Sequence, residues 1–247
     1  MEDVYCGPAP MPDQLIGAWN VDSVAIALCV AIVAVHALTR THGRVPLALG
    51  ICVLALLFLS PLCALTAALF SARAFHHVLL AAVAAPLLVL AFQLHVGRKP
   101  ILSLGGSVAL SIVAMWVWHV PALYAAAITS APLYWLMQAS LLGSGVLLWQ
   151  AVLSSHTRPG PALLALLATI VQMGMLGALL TFATRPLYAA HALTTVPFGL
   201  SPLEDQQLAG LILWVPAALP YGIAMILVLL RLPAVADVDR AQPVSGG

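Results

Sequence analysis

Charge is what this sequence has least of. Its 247 residues include nine Lys and Arg against eight Asp and Glu, a formal net charge of +1. So small an imbalance offers no cationic surface for nucleic acid, and no nucleic-acid partner is expected. Also lacking are a glycine-rich phosphate loop ahead of a helix, a helical His-Glu-x-x-His segment and any internal repeat, so the common nucleotide and zinc-protease motifs are excluded. No residue is assigned a catalytic role, and the chain is read as a non-enzyme. The first 22 residues, "MEDVYCGPAPMPDQLIGAWNVD", have acids where a signal peptide carries its basic segment and prolines where it carries its apolar core. They are expected to remain as an N-terminal arm.

What the chain has instead is apolar length: 63% of its residues are hydrophobic and 7% charged. Its apolar runs reach the roughly 20 residues needed to cross a bilayer. A lipid-facing backbone must satisfy its own hydrogen bonds, so each run reads as a helix. The expected fold class is all-α, a polytopic membrane protein of about seven transmembrane helices over 23–39, 46–67, 76–95, 101–120, 132–153, 162–183 and 206–231. This divides the chain into an outer arm (1–22), a transmembrane domain (23–231) with the lipid bilayer as partner, and a disordered tail (232–247). Arg40, Arg44, Arg98, Lys99, Arg158, Arg231 and Arg240 fall on one side of this layout and only Arg73 and Arg185 on the other. The positive-inside bias then places the N-terminus outside and the C-terminus in the cytoplasm.

In that layout the unusual side chains gather at the outer face. His119 ends the fourth helix, His76 and His77 start the third, Cys63 ends the second and Cys6 lies in the arm, while His191, Glu204 and Asp205 precede the last helix. Pro121 lacks the N–H that would bond the carbonyl of Val117, so the helix is expected to open beside His119. Imidazole and thiolate suit a soft cation such as Cu(I), which makes His77, His119, His76 and Cys6 the candidate ligands. The alternative for His119 is an interfacial belt shared with Trp116, Trp118 and Tyr124. Adjacent helical positions point about 100° apart, so of the histidine pair only His77, heading "HVLLAAVAAPLLVLA", is expected to face the bundle. Cys6 and Cys63 read as a disulfide, as metal ligands or as unrelated, with the last preferred because spacing does not report distance. Cys29 and Cys52, inside apolar helices, read as small hydrophobes. Asp205, followed by Gln206, either caps the last helix or lies beside His77 and His119 to orient an imidazole. A haem-binding redox subunit is a rival reading, but His77 and His95 on one helix would be about 27 Å apart, at opposite membrane edges. A copper transporter is another, and the helix centres carry no charges to mark a path.

"MWVWHVPALYAAA", "VAAPLLVLA", "QMGMLGALLTFATRPLY" and "LEDQQLAGLILWVP", with "YCGPAPMPDQLIGAWNVD" as the arm, resemble the CtaG-like assembly factors of caa-type cytochrome c oxidases. The resemblance spans nearly the whole chain in both content and order. It implies a multi-pass protein of the bacterial inner membrane that helps mature a haem-copper oxidase, with Cu(I) delivered from the periplasmic side to the catalytic subunit. A periplasmic copper chaperone is then a further partner, and a metal-free membrane scaffold for an oxidase subunit is the alternative role. By resemblance the family's histidines correspond to His119 and His77, and Tyr124, Trp118, Asp205 and Gln206 fall in the matching segments. The chain departs from relatives at Arg73, Tyr134 and Gln138, where histidines are frequent, and each change removes a potential ligand.

Overall fold

The computed structural model describes residues 5–230. Among them there is no strand, and helices account for the fold. α1 (Ser23–Thr39) starts at Asp22, whose carboxylate accepts from the N–H of Ala25 at 2.8 Å. α2 (Arg44–Phe58) and α3 (Pro61–Ala68) meet at a 45° bend. Pro61 supplies the break and Ser60 caps the new helix by accepting from Leu62 N–H. α4 (Phe70–Leu79), a π-helical turn (Leu80–Ala84) and α5 (Ala85–Ala91) form one continuous span. The wide turn has a local cause: Pro86 has no N–H for the carbonyl of Ala82, and its ring crowds that carbonyl.

α6 (Leu104–Trp118) and α7 (Pro121–Thr129) are bent by 77° around His119 and Val120, as Pro121 leads one to expect. α8 (Ala131–Leu153) and α9 (Pro159–Thr181) are long and unbroken, and α10 (Pro202–Trp214) runs on through a short irregular turn into α11 (Ala218–Leu229). Four spans are long and apolar enough to cross a membrane, or up to six if each bent pair counts as one. The remaining expected crossing is α1, apolar but 17 residues long. Two helix starts differ from the sequence reading. The third span begins at Phe70 and not near 76, and the last at Pro202 and not near 206. The expected tail, 232–247, lies outside the described residues.

Small residues let the helices approach closely. α9 and α10 cross at Gly177 and Gly210, where a Cβ on Gly177 would stand 2.6 Å from the carbonyl oxygen of Gly210 and one on Gly210 2.5 Å from that of Gly177. Backbone on both sides leaves nothing that can swing away. Gly210→Ala is therefore expected to destabilise the protein by about 2 kcal/mol through forced helix separation. Thermal unfolding in detergent would check this, with Gly222→Ala, at a position open to space, as the control.

Candidate functional site

The N-terminal arm crosses one end of the bundle and is fastened there by a disulfide between Cys6 and Cys63. Cys6 was expected among the ligands, and its pairing with Cys63 was not preferred; the bond corrects both, since a disulfide sulfur has no thiolate to offer a metal. The arm also covers the bend in the second span, because Asn20 donates from its side chain to Phe58 O at 3.0 Å and from its backbone to Leu59 O at 3.0 Å. Tyr5 stacks on Tyr134 of α8, with ring centroids 4.0 Å apart.

Beneath that cover, α3 and α4 are separated by a single extended residue, Leu69. The backbone groups freed there are satisfied from far along the chain. Asp205, at the start of α10, accepts from the N–H groups of Phe70 (2.7 Å) and Ser71 (3.1 Å) and from the Ser71 hydroxyl. The carbonyl of Ala68 accepts from the hydroxyl of Thr194 at 2.7 Å and from Nδ1 of His191 at 3.3 Å. Asp205 thus caps a helix as one reading expected, though α4 and not its own, and none of its hydrogen bonds goes to an imidazole, against the other reading. The cap of α10 is a reciprocal pair between Ser201 and Glu204.

Because α4 starts early, Arg73, His76 and His77 lie inside it. At spacings of three and four they share one side of the helix. All three are fully buried, so His76 faces the interior as well as His77. His76 packs edge-on against Phe58, and His77 against His119, whose ring centroid is 5.4 Å away. Opposite them α8 supplies Tyr134 and, one turn on, Gln138. The Arg73 guanidinium carbon lies 5.2 Å from the centre of the Tyr134 ring.

His119 is held by the bend between α6 and α7. Its Nδ1 lies 2.7 Å from the carbonyl of Met115, which can only accept, so Nδ1 carries the hydrogen and donates it. The Nε2 lone pair of the neutral ring is left without a partner, as are both ring nitrogens of His77 and of His76. Tyr188 fixes the same turn by donating to the carbonyl of His119 at 2.7 Å.

The other expected residues each make a hydrogen bond in the frame around the histidines. Tyr124 hydrogen-bonds Nε2 of His191 at 2.6 Å. Burial, reinforced by the Arg73 cation and opposed by the Ala68 carbonyl, lowers the pKa of His191 to about 4. His191 is then neutral at pH 7, with Nδ1–H donating to Ala68 and Nε2 accepting from the Tyr124 hydroxyl. Trp118 donates its indole N–H to Ser140 at 2.7 Å. Gln206 accepts from Leu187 N–H at 2.6 Å and pins the connection after α9.

Among the described residues no three of His, Cys, Asp or Glu converge on one point. The site as built is a closed, polar cluster of Arg73, His76, His77, His119 and Gln138, beside the hydrogen-bonded group of Ser71, His191 and Asp205. Gln138 entered the sequence reading as a missing ligand, and Arg73 as that and as an outer-face cation; the burial of both was not foreseen. The available signal was the spacing of Arg73 from His76 and His77.

Comparison with known proteins gives one match. The family model described as cytochrome c oxidase caa3 assembly factor (Caa3_CtaG) covers residues 99–233, more than half of the chain. No curated protein and no solved structure matches. The matched stretch contains His119, Tyr134, Gln138 and Asp205, while Arg73, His76, His77 and the disulfide precede it.

Proposed function

Since the chain belongs to the caa3 cytochrome c oxidase assembly factor family, we propose that it serves in maturing the catalytic subunit of a haem-copper oxidase by holding Cu(I) as cargo between His77 and His119. One observation carries the reading: His119 donates Nδ1–H to a backbone carbonyl and keeps Nε2 free, 5.4 Å between ring centres from a histidine with no partner at all. A carbonyl behind the imidazole is the usual outer partner of a metal-binding histidine, and it fixes the tautomer with the lone pair toward the metal. Two neutral nitrogen donors make a modest Cu(I) site, which suits an ion that must be released to a client. His76 is a third imidazole within the cluster, 6.0 Å from His77 between ring centres.

The outer, periplasmic side is the reading supported by the disulfide, which persists in oxidising compartments and lies at the same bundle end as the histidines. The protein is a multi-pass membrane protein, placed in the bacterial inner membrane by this reading, and its work is assembly, not turnover. A periplasmic copper chaperone would load it. The second reading, a metal-free scaffold for an oxidase subunit, is favoured by one feature: Arg73 puts a cation on the turn before His77, where it repels Cu(I).

Copper retention separates the two. Detergent-purified protein loaded with Cu(I) in ascorbate and challenged with bathocuproine is expected to keep about one copper per chain, and His119→Ala to lose it at a competitor level roughly tenfold lower. Wild-type protein stripped as readily as the variant would leave the scaffold reading.

A further inference from the structure

Arg73 is the largest fully buried side chain of the described structure. None of its three guanidinium nitrogens has a hydrogen-bond partner. A guanidinium stays protonated at any physiological pH, so neutralisation by proton loss, open to a buried lysine, is closed to it. Asp205, the buried carboxylate at this end of the bundle, has its oxygens engaged by Phe70 and Ser71. The Tyr134 ring meets one face of the cation but takes none of its five N–H donors. A buried cation without a counter-charge is among the costliest arrangements in a protein, and in a membrane bundle it marks a functional group.

The unspent donors do not stand alone. Both ring nitrogens of His76, one turn along α4, and both amide atoms of Gln138, one turn beyond Tyr134 on α8, are also buried without partners. Arg73 and His76 lie on one side of α4, and Gln138 lies one turn along α8 from the Tyr134 ring that the Arg73 cation meets. They nonetheless make no hydrogen bonds among themselves. Each can donate: five N–H from the guanidinium, two from the carboxamide and one from a neutral imidazole.

We infer that Arg73, His76 and Gln138 bind a small monovalent inorganic anion of the halide class between α4 and α8. One buried positive charge is matched by one negative charge, whereas sulfate or hydrogen phosphate would leave a net negative charge in the same closed space. Arg73 and His76 are fully buried and Gln138 is 2% exposed, which favours a compact ion that needs no directional acceptor geometry. The inference stands whether or not His77 and His119 ever hold copper. Where they do, the anion offsets the Arg73 charge that would otherwise oppose it.

The probe is chloride itself, on the full-length protein in a neutral detergent. Equilibrium dialysis with radioactive chloride is expected to find about one ion per chain, and replacing sodium gluconate by sodium chloride at constant ionic strength to raise Tm by roughly 5 °C at saturation. Arg73→Met, similar in length and uncharged, is expected to bind no chloride and to melt at the same temperature in both salts. Should that variant fail to accumulate, Gln138→Leu, which keeps the cation, decides instead by weakening chloride binding about tenfold. A wild-type protein that retains no chloride and melts identically in both salts overturns the inference. So does chloride binding that survives both substitutions, or a sulfate response equal to that of chloride.

Discussion

Asp205→Ala is expected to cost about 4 kcal/mol and to remove the protein from the membrane. Its carboxylate, fully buried, accepts from two backbone N–H groups and one hydroxyl at the start of α4. Hydrogen bonds to a charged acceptor contribute about 1.5–3 kcal/mol each, and three at one centre act as a unit, so their sum is an upper bound. Removing the acceptor also leaves two helix-start N–H groups buried with no water to replace it. Asp205→Asn keeps one acceptor oxygen and the shape but loses the charge at the helix N-terminus, so about half the effect is expected. The comparison that isolates this role is Glu204→Ala. Glu204 belongs to an exposed capping box, where water can replace the lost acceptor and a far smaller effect is expected. Unfolding in detergent and the protein level by immunoblot would report both. If Asp205→Ala unfolded no more easily than Glu204→Ala, capping between α10 and α4 would contribute nothing.

The largest functional effect is expected at the two facing histidines. His119→Ala and His77→Ala should each lower the copper content of the client oxidase by about tenfold while its haem and the factor's own membrane level stay near normal. The expectation of normal level rests on the backbone: the carbonyl of His119 keeps its bond from Tyr188 whatever side chain the residue carries. Combining the two substitutions should add little, because a shared site lost through either residue is not lost twice. Copper and haem analysis of the isolated oxidase gives the answer directly. Additive losses would mean that the two rings act separately. Fully loaded oxidase from both single variants would assign the work to a metal-free scaffold.

The sequence made the helical membrane architecture legible, because long apolar runs in a poorly charged chain have few other structures open to them. The bend at Pro121 was legible for a similarly local reason. The start of α4 was not. No proline or glycine marks Leu69, and the carboxylate that makes a helix start possible there lies 135 positions away. With that start misplaced, Arg73 read as a loop residue at the membrane edge, where an arginine is inexpensive, and His76 as facing the headgroups. The last helix shows the opposite case. Its Ser-x-x-Glu start at Ser201 and Glu204 is a local signal, yet the apolar run that follows it pulled the expected boundary inward. The disulfide was out of reach because cysteines 57 positions apart report nothing about their separation in space. Tyr124 and Trp118 were read as belt residues and, with Gln206, as part of the matching segments, and the structure gives each a hydrogen bond that fixes the frame around the histidines.

The interruption at Leu69 has a consequence for how such a sequence can diverge. Its two freed backbone ends are served by His191 and Thr194 on one side and by Asp205 on the other. Backbone groups cannot mutate, so the demand they make is permanent and independent of what residues 68–71 happen to be. The three suppliers therefore drift under a joint constraint. A homologue that loses the carboxylate at the position of Asp205 must either mend the interruption into a continuous helix or recruit another acceptor from a neighbouring element. Covariation in this fold should accordingly couple the connection between α9 and α10 to the geometry of the α3–α4 junction, and only weakly to the identity of the side chains at the junction itself.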